Sequence, residues 1–269
     1  MEKEVSVLIP AHNEEKTLNF CLKSIFNQVG IKEIILVADR CTDNTIAIAK
    51  KHNIRVLEKN FKKWLNPRAE VINFGIDELE GTYAFLCDAD LYLTKNFMRH
   101  MIKSIKNPKT GVVSGTCITK GIFGIPNYQT FLGGCRLIRT RLLKEVRCKD
   151  LIGFDTYQDL LIEKKGFEVI ANKKAIAYEM RPFRSKKYIN QGIRKGWARY
   201  QLCFPFIFTI LHLLFKFITN PFTLPEIIST LIGYVEGRII NLPRFKEARK
   251  IIVRRQKNRI RNFISKGLL

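Results

Sequence analysis

The sequence predicts an α/β fold with a largely parallel sheet, and three observations predict it. Short β-branched runs alternate with helical patterns from residue 5 to about residue 180. The intervals between the runs are long enough for crossover helices, which parallel strands require. Acidic residues gather just past successive strands, in residues 10–14, 39–43 and 88–90. Parallel sheets bind their ligands at that rim, outside the carboxyl ends of the strands.

Each element can be justified in turn. Val5-Ser6-Val7-Leu8-Ile9 reads as a strand closed by Pro10. A helix follows, with Glu14 and Glu15 in its first turn, where negative charge suits the dipole, and Leu18, Cys21, Leu22 and Ile25 on one face. Residues 33–37 form a second strand. Thr42 or Asp43 then caps a helix through Ile46, Ile48 and Ala49. Residues 54–57 form a third strand, residues 71–79 a third helix, and residues 83–87 a fourth strand.

The pattern changes past residue 185. Residues 204–219 are mostly apolar but interrupted by Pro205, His212 and Lys216, short of a clean membrane span. Thr223-Leu224-Pro225-Glu226 has the form of a capping box with proline in the first turn. Residues 244–261 then carry nine Lys and Arg against Glu247 alone. On a helical wheel Phe245, Ala248, Ile252, Ile260 and Phe263 share one face. That is the pattern of an interfacial helix on anionic lipid, or of a basic helix packed on its domain.

Composition restricts the function classes. The chain carries 47 Lys+Arg against 24 Asp+Glu, a net charge of +23, which favours an anionic partner. Nucleic acid is not expected, because no aromatics interleave with the basic residues and no binding motif is present. Seven cysteines, odd in number and without metal spacing, read as reduced thiols in a cytoplasmic protein. Met1-Glu2-Lys3-Glu4 is charged, so no signal peptide is expected.

The chemistry centres on Cys87-Asp88-Ala89-Asp90. Two carboxylates at i and i+2 past a strand end suit a hard divalent cation, which can in turn hold a diphosphate. A nucleotidyltransferase would also want such a pair. It would carry a Gly-rich basic loop after the first strand, whereas this loop is Pro10-Ala11-His12-Asn13-Glu14.

Four blocks together resemble the family 2 glycosyltransferases. They are Val5 to Glu15 with its Asn13-Glu14 pair, Ile34 to Thr45 with Asp39 and Asp43 (Cys41 standing where serine is usual), Asn73 with Gly75, and Asp88-Ala89-Asp90. The resemblance covers about residues 5–200. It implies the GT-A fold, a Rossmann-like, mostly parallel sheet flanked by helices. It implies a domain of residues 1–200, with a nucleotide-sugar-binding half (1–110) and an acceptor-binding half (111–200). Residues 201–269 then form a helical, membrane-associated appendage.

The resemblance also implies roles. Pro10, Ala11, Asn13, Glu14, Asp39 and Asn73 would meet the nucleotide, with Asp39 accepting from a base N–H, and Arg68 would meet the diphosphate. Asp90 would ligate Mg²⁺ or Mn²⁺ directly, while Asp88 lies closer to the ribose and to water, with Ala89 between them. Relatives supply a later histidine ligand; here that stretch offers Glu179. The general base is a carboxylate at a helix start. Its distance from Gly166 selects Asp155, and the local Asp-Leu pattern selects Asp159. Gln191, Arg194 and Trp197 loosely resemble an acceptor-binding element, and equally suit an amphipathic helix with its Trp in the core. The implied partners are a nucleoside-diphosphate sugar (UDP-sugar ahead of GDP-sugar), a lipid-linked or glycan acceptor, and an anionic membrane surface on the cytoplasmic side.

Overall fold

The computed structural model describes residues 2, 4–120, 126–130, 133–181, 185–219 and 223–267. The chain forms two compact units, one of residues 1–150 with 165–183, the other of residues 151–164 with 184–269. The contacts therefore do not divide at residues 110 and 200. The sheet continues past 110, and residues 151–164 and 185–200 group with the C-terminal helices.

The first unit is built on one nine-stranded sheet. In chain order its elements are β1 (Val5–Ala11), α1 (Leu18–Phe26), β2 (Ile31–Asp39), α2 (Thr45–Lys51), β3 (Arg55–Lys59), α3 (Pro67–Ile76), β4 (Tyr83–Cys87), β5 (Leu91–Leu93), α4 (Phe97–Ile105), β6 (Thr110–Lys120), β7 (Pro126–Thr130), β8 (Cys135–Arg139), α5 (Thr140–Glu145) and β9 (Glu168–Glu179). The strand order is β3-β2-β1-β4-β8-β6-β9-β5, with β7 paired to β6. β1, β2, β3 and β4 are mutually parallel. β8 runs antiparallel to both β4 and β6, so the sheet is parallel from β3 to β4 and mixed beyond. This is the mostly parallel α/β sheet that the sequence predicts.

The central strands β1 and β4 and the second half of β2 are continuous apolar runs because helices cover both faces. Val5, Val7, Ile9, Leu36, Phe85 and Leu137 form one side of the core with Leu18, Leu22 and Ile25 of α1. Each such buried side chain contributes roughly 1.5–3 kcal/mol over its exposed state. Gly75 of α3 is a true close approach: a Cβ there would lie 2.8 Å from a methyl group of Val37. That contact seats α3 against β1 and β2.

Two local readings change. α1 begins at Leu18, so Glu14 and Glu15 precede it, in the loop that closes on the site. α2 begins at Thr45, and Asp43 serves it from two residues upstream: its Oδ1 accepts the Thr45 N–H at 3.0 Å.

The second unit contains α6 (Phe154–Lys164), α7 (Ser185–Gln201), α8 (Phe206–Thr219), α9 (Leu224–Ile239) and α10 (Lys246–Gly267). α7 and α9 pack at very close range through Gly192 and Gly196 on one helix and Gly233 and Gly237 on the other. Two facing small-xxx-small stripes let the backbones approach, a device common between helices in lipid. Thr223 precedes α9 without a side-chain cap bond, so the expected capping box is not formed; Glu226 turns to lysines instead. Ala248 and Ile252 of α10 are buried, and Phe245 packs at a tilt against Tyr157 of α6 with centroids 5.2 Å apart. The apolar stripe of the basic tail therefore packs on protein at these three positions, because α6 offers it an apolar face. The side chains of Ile260 and Phe263 lie outside the described residues. No helix among the described residues is long and apolar enough to cross a membrane.

Candidate active site

The carboxyl ends of β1, β2 and β4 open onto a cleft of about 260 Å³. Its wall includes Pro10, Ala11, His12, Glu14, Asp39, Arg40, Pro67, Arg68, Val71, Asp88, Ala89, Asp90 and Arg181. Pro10, Pro67 and Val71 give the lining apolar surface, and its remaining charged members are carboxylates and guanidinium groups.

Asp39 ends β2 and is buried at the floor. Arg40 donates to both of its oxygens, Nε to Oδ1 at 3.0 Å and NH2 to Oδ2 at 2.6 Å. Lys59, wholly buried at the end of β3, donates to Oδ1 at 3.0 Å and lies 3.1 Å from Glu70 of α3. Burial alone would raise the Asp39 pKa, but the bonds and charges of Arg40 and Lys59 outweigh it and hold the group below the usual range. Asp39 is therefore an anion. Oδ1 accepts two bonds and Oδ2 one, so Oδ2 keeps an acceptor site for a ligand N–H.

The loop after β1 is tied to the loop after β2. Asn13, at φ 56°, accepts from the Thr42 N–H at 2.8 Å. Asp43 Oδ2 accepts from the Glu15 N–H at 3.0 Å, and Thr45 Oγ1 from the Glu14 N–H at 2.7 Å. His12 Nδ1 lies 2.6 Å from the Asp39 carbonyl, so Nδ1 carries the proton.

Asp88 and Asp90 follow β4 and both reach the cleft. Each faces an arginine. Arg68 NH2 lies 2.7 Å from Asp88 Oδ1, and Arg181 Nε lies 2.9 Å from Asp90 Oδ2. Arg181 also pairs with Glu14. Gly134 passes so close that a Cβ there would strike the Asp88 carboxylate and come 2.7 Å from Arg68. Its carbonyl accepts the Asp88 N–H at 2.9 Å, which fixes the turn.

The match to a family model decides what this cleft belongs to. The model described as glycosyl transferase family 2 matches residues 6–157, more than half of the chain. This chain belongs to glycosyltransferase family 2.

As a family 2 glycosyltransferase it is similar to several known proteins. It is 26% identical over 262 residues to a Methanococcus voltae enzyme, the dolichyl N-acetyl-alpha-D-glucosaminyl phosphate 3-beta-D-2,3-diacetamido-2,3-dideoxy-beta-D-glucuronosyltransferase, covering 78% of this chain and 80% of that protein. It is 28% identical over 166 residues to a poly(ribitol-phosphate) beta-glucosyltransferase of Bacillus spizizenii, covering 53% of this chain and only 26% of that protein. Among solved structures it resembles the mannosyltransferase PcManGT from Pyrobaculum calidifontis, in complex with GDP-Man and Mn²⁺. The TM-score is 0.63 at 19% identity, over 94% of this chain and 84% of that one. That likeness establishes the GT-A fold.

The glycosyltransferase cleft gathers Pro10, Ala11, Glu14, Asp39, Arg68, Asp88, Ala89 and Asp90, the residues that the resemblance implies. Two expected nucleotide contacts have other work. Asn13 does not line the cleft and ties two loops together. Asn73 brackets Cys148 instead, donating to its carbonyl and accepting from its N–H, each at 2.9 Å. Five lining residues were missed, the apolar Pro67 and Val71 among them. His12 and Arg40 lie inside the motif blocks without an expected role, and Arg181 lies between Glu179 and the stretch from Gln191 to Trp197. The signal that could have found Arg181 is its place two residues after Glu179, at the end of a strand.

No ion is part of this structure, so the fit of Mg²⁺ or Mn²⁺ rests on donor chemistry. Asp88 and Asp90 offer hard oxygen donors on one wall, enough for a cation whose other ligands are phosphate oxygens and water. A closed protein cage does not fit: among the described residues no three His, Cys, Asp or Glu side chains are close enough to hold a metal. Glu179, the expected third ligand, pairs its backbone with Leu91 and is not in the cleft wall. Its charge is nevertheless felt nearby, since Cys117 is pushed up to about 12 by burial first, then by Glu179, Asp90 and Asp88.

The other expected residues lie on the second unit, described by itself. Asp155 is in the first turn of α6, which begins at Phe154, and the Tyr157 N–H bonds the Gly153 carbonyl there. Asp155 is partly buried, and Asp159, one turn on, is buried. On α7, Gln191 and Arg194 are exposed, and Trp197 Nε1 donates to Glu236 of α9 at 3.1 Å. The Trp197 indole is thus held between helices.

Proposed function

We propose that this glycosyltransferase is an inverting, metal-assisted enzyme that moves a sugar from a nucleoside-diphosphate sugar to a lipid-linked glycan or polyprenyl phosphate at the cytoplasmic membrane face. The observation that carries the donor half is the cleft with an anionic floor at Asp39 and two carboxylate–arginine pairs at its mouth. The apolar surface of Pro10, Pro67 and Val71 suits a base, and Asp39 Oδ2 can accept its N–H. Arg68 and Arg181 suit the diphosphate, for which guanidinium is the favoured partner.

The same four side chains that pair with one another can pair instead with an incoming cation and diphosphate. A divalent ion held by Asp88 and Asp90 would withdraw charge from the departing nucleoside diphosphate. The acceptor oxygen attacks the anomeric carbon from the opposite face, the bond to the diphosphate breaks, and the acceptor proton passes to a carboxylate. Asp155 is the proposed base, with Asp159, more buried, second. An acceptor that is already a phosphate anion needs no strong base. Support for the donor and acceptor classes comes from PcManGT, whose structure holds GDP-Man and Mn²⁺, and from the archaeal relative, whose substrate is a dolichyl-linked sugar phosphate.

Membrane attachment is assigned here to α8 and α9 ahead of the basic tail. Ile207, Leu211, Leu214 and Ile218 form an exposed stripe on α8; Leu224, Ile228, Ile232, Val235 and Ile239 form another on α9. Apolar exposure on that scale marks a membrane or protein contact. Donor hydrolysis with a panel of UDP-, GDP- and dTDP-sugars, with and without Mn²⁺, tests the donor reading. Hydrolysis of one class, lost in chelator, is the expected result. No hydrolysis of any, or full hydrolysis in chelator, overturns it.

A further inference from the structure

The second unit holds a cavity of about 560 Å³ between α7, α8 and α9, within the size range of ligand clefts. Its composition is unusual for a helix bundle. Lys195 and Arg199 enter from α7, one turn apart, and Lys216 from α8. A single acid, Glu226 of α9, faces them. Glu226 is 5% exposed and lies 2.6 Å from each lysine. Arg199 forms no ion pair among the described residues; it lies over the Phe204 ring at 5.4 Å. Three cations against one acid leave two positive charges around a half-open cavity, with Arg199 partly buried and the Lys195 side chain exposed. Burial pulls the Arg199 pKa down to about 10, and it stays charged at neutral pH. Uncompensated buried charge is costly, and an anion relieves it.

The remaining wall is largely hydrocarbon, from Leu202, Phe204, Leu213 and Phe215, with His212, Thr156 and Thr230 as its polar members. Phe215 belongs both to this wall and to the exposed apolar surface of α8. A free phosphate would use the cations and leave the apolar wall idle. A phosphate on a long hydrocarbon chain would use both, with its head at Arg199 and its chain running out along α8.

We propose that the cavity lined by Lys195, Arg199, Lys216 and Glu226 binds the phosphate or diphosphate head of a long-chain lipid. This deepens the lipid-linked acceptor reading above and rests on it for its role in transfer, but lipid binding can be measured without transfer. It also moves acceptor recognition away from Gln191, Arg194 and Trp197.

The test is flotation of the full chain with phosphatidylcholine vesicles carrying a long-chain isoprenyl monophosphate. Parallel vesicles carry phosphatidylglycerol at equal surface charge. The expected result is binding to the isoprenyl phosphate vesicles about tenfold tighter than to the phosphatidylglycerol vesicles. Arg199→Gln should erase that preference, and Arg199→Lys should keep part of it. Glu226→Gln, which adds net positive charge, should strengthen it, so the two changes move binding in opposite directions. Circular dichroism on each variant verifies the fold. Equal binding to both vesicle types overturns the proposal, as does a folded Arg199→Gln chain that binds as the parent does. Release by inorganic phosphate as effectively as by micellar isoprenyl phosphate also overturns it. Donor hydrolysis is measured on the same samples. Its absence with lipid preference intact defeats the donor reading alone; its presence without lipid preference defeats this proposal alone.

Discussion

Arg181 Nε sits 2.9 Å from Asp90 Oδ2, across the mouth of the cleft from the Arg68–Asp88 pair. Arg181 also reaches Glu14 of the loop after β1, so one guanidinium joins two of the three strand ends that form the site. Arg181→Gln should raise the donor KM by about tenfold, the loss expected for one charge-assisted diphosphate contact, with a smaller effect on kcat. Steady-state donor hydrolysis measures both. An unchanged KM would remove Arg181 from donor binding.

Asp90 itself should be indispensable. Asp90→Ala should lower turnover by about a hundredfold or more while far-UV circular dichroism stays unchanged, because the residue lies in a turn past the strand. Full turnover by this variant in metal-free buffer would sink the metal-assisted mechanism.

Lys59 is the hidden support of the floor. It is wholly buried between Asp39 and Glu70, so removing it leaves two carboxylates facing each other in a dry site. Lys59→Met should cost about 3–5 kcal/mol, the range for breaking a buried pair on one side. Urea unfolding followed by Trp64 fluorescence in a Trp197→Phe background isolates the first unit. A loss under 1 kcal/mol would mean that the triad is not balanced by this lysine.

Glu226 predicts an acid limb in the stability of the second unit. Burial would raise its pKa, but Lys195 and Lys216 outweigh that and hold it at about 2, below the ordinary 4.5. A depressed folded value means that its contribution is complete above the unfolded pKa and is lost as pH falls from about 4.5 toward 2. The shift corresponds to about 3 kcal/mol. Unfolding monitored at Trp197 in a Trp64→Phe background should show this loss, and Glu226→Gln should flatten it. An unaltered acid limb in that variant would assign the effect elsewhere.

The exposed stripes make a separate prediction. Ile228→Ser with Ile232→Ser should weaken vesicle binding by about tenfold or more, since each removes apolar area from lipid contact, yet leave urea stability nearly unchanged. Unchanged flotation would defeat attachment through α9.

Much of this was legible in the chain. The apolar runs gave β1, β2 and β4 because a strand buried on both faces must be continuously apolar. The acids past those strands followed, since a strand end fixes where the next residues project. Asp39, Asp88 and Asp90 could therefore be placed on one rim from spacing alone. Asn13 and Asn73 could not be sorted from their neighbours. An amide that contacts a nucleotide and one that ties a loop look the same in sequence, and only the position of Thr42 or Cys148 separates them.

The sequence by itself determined the α/β class, the four motif blocks and the acidic rim, because these depend on local periodicity and on residues close in the chain. Tertiary structure alone decided what each charge faces. Arg181 meets Asp90 across 91 residues, Lys59 is sealed under Asp39, and Glu226 takes lysines from two other helices. It also decided that the tail's apolar residues Phe245, Ala248 and Ile252 pack on protein while α8 and α9 keep their apolar faces outward. A helical wheel fixes which residues share a face. What that face touches is set by contacts between distant segments, whose energies no local pattern contains.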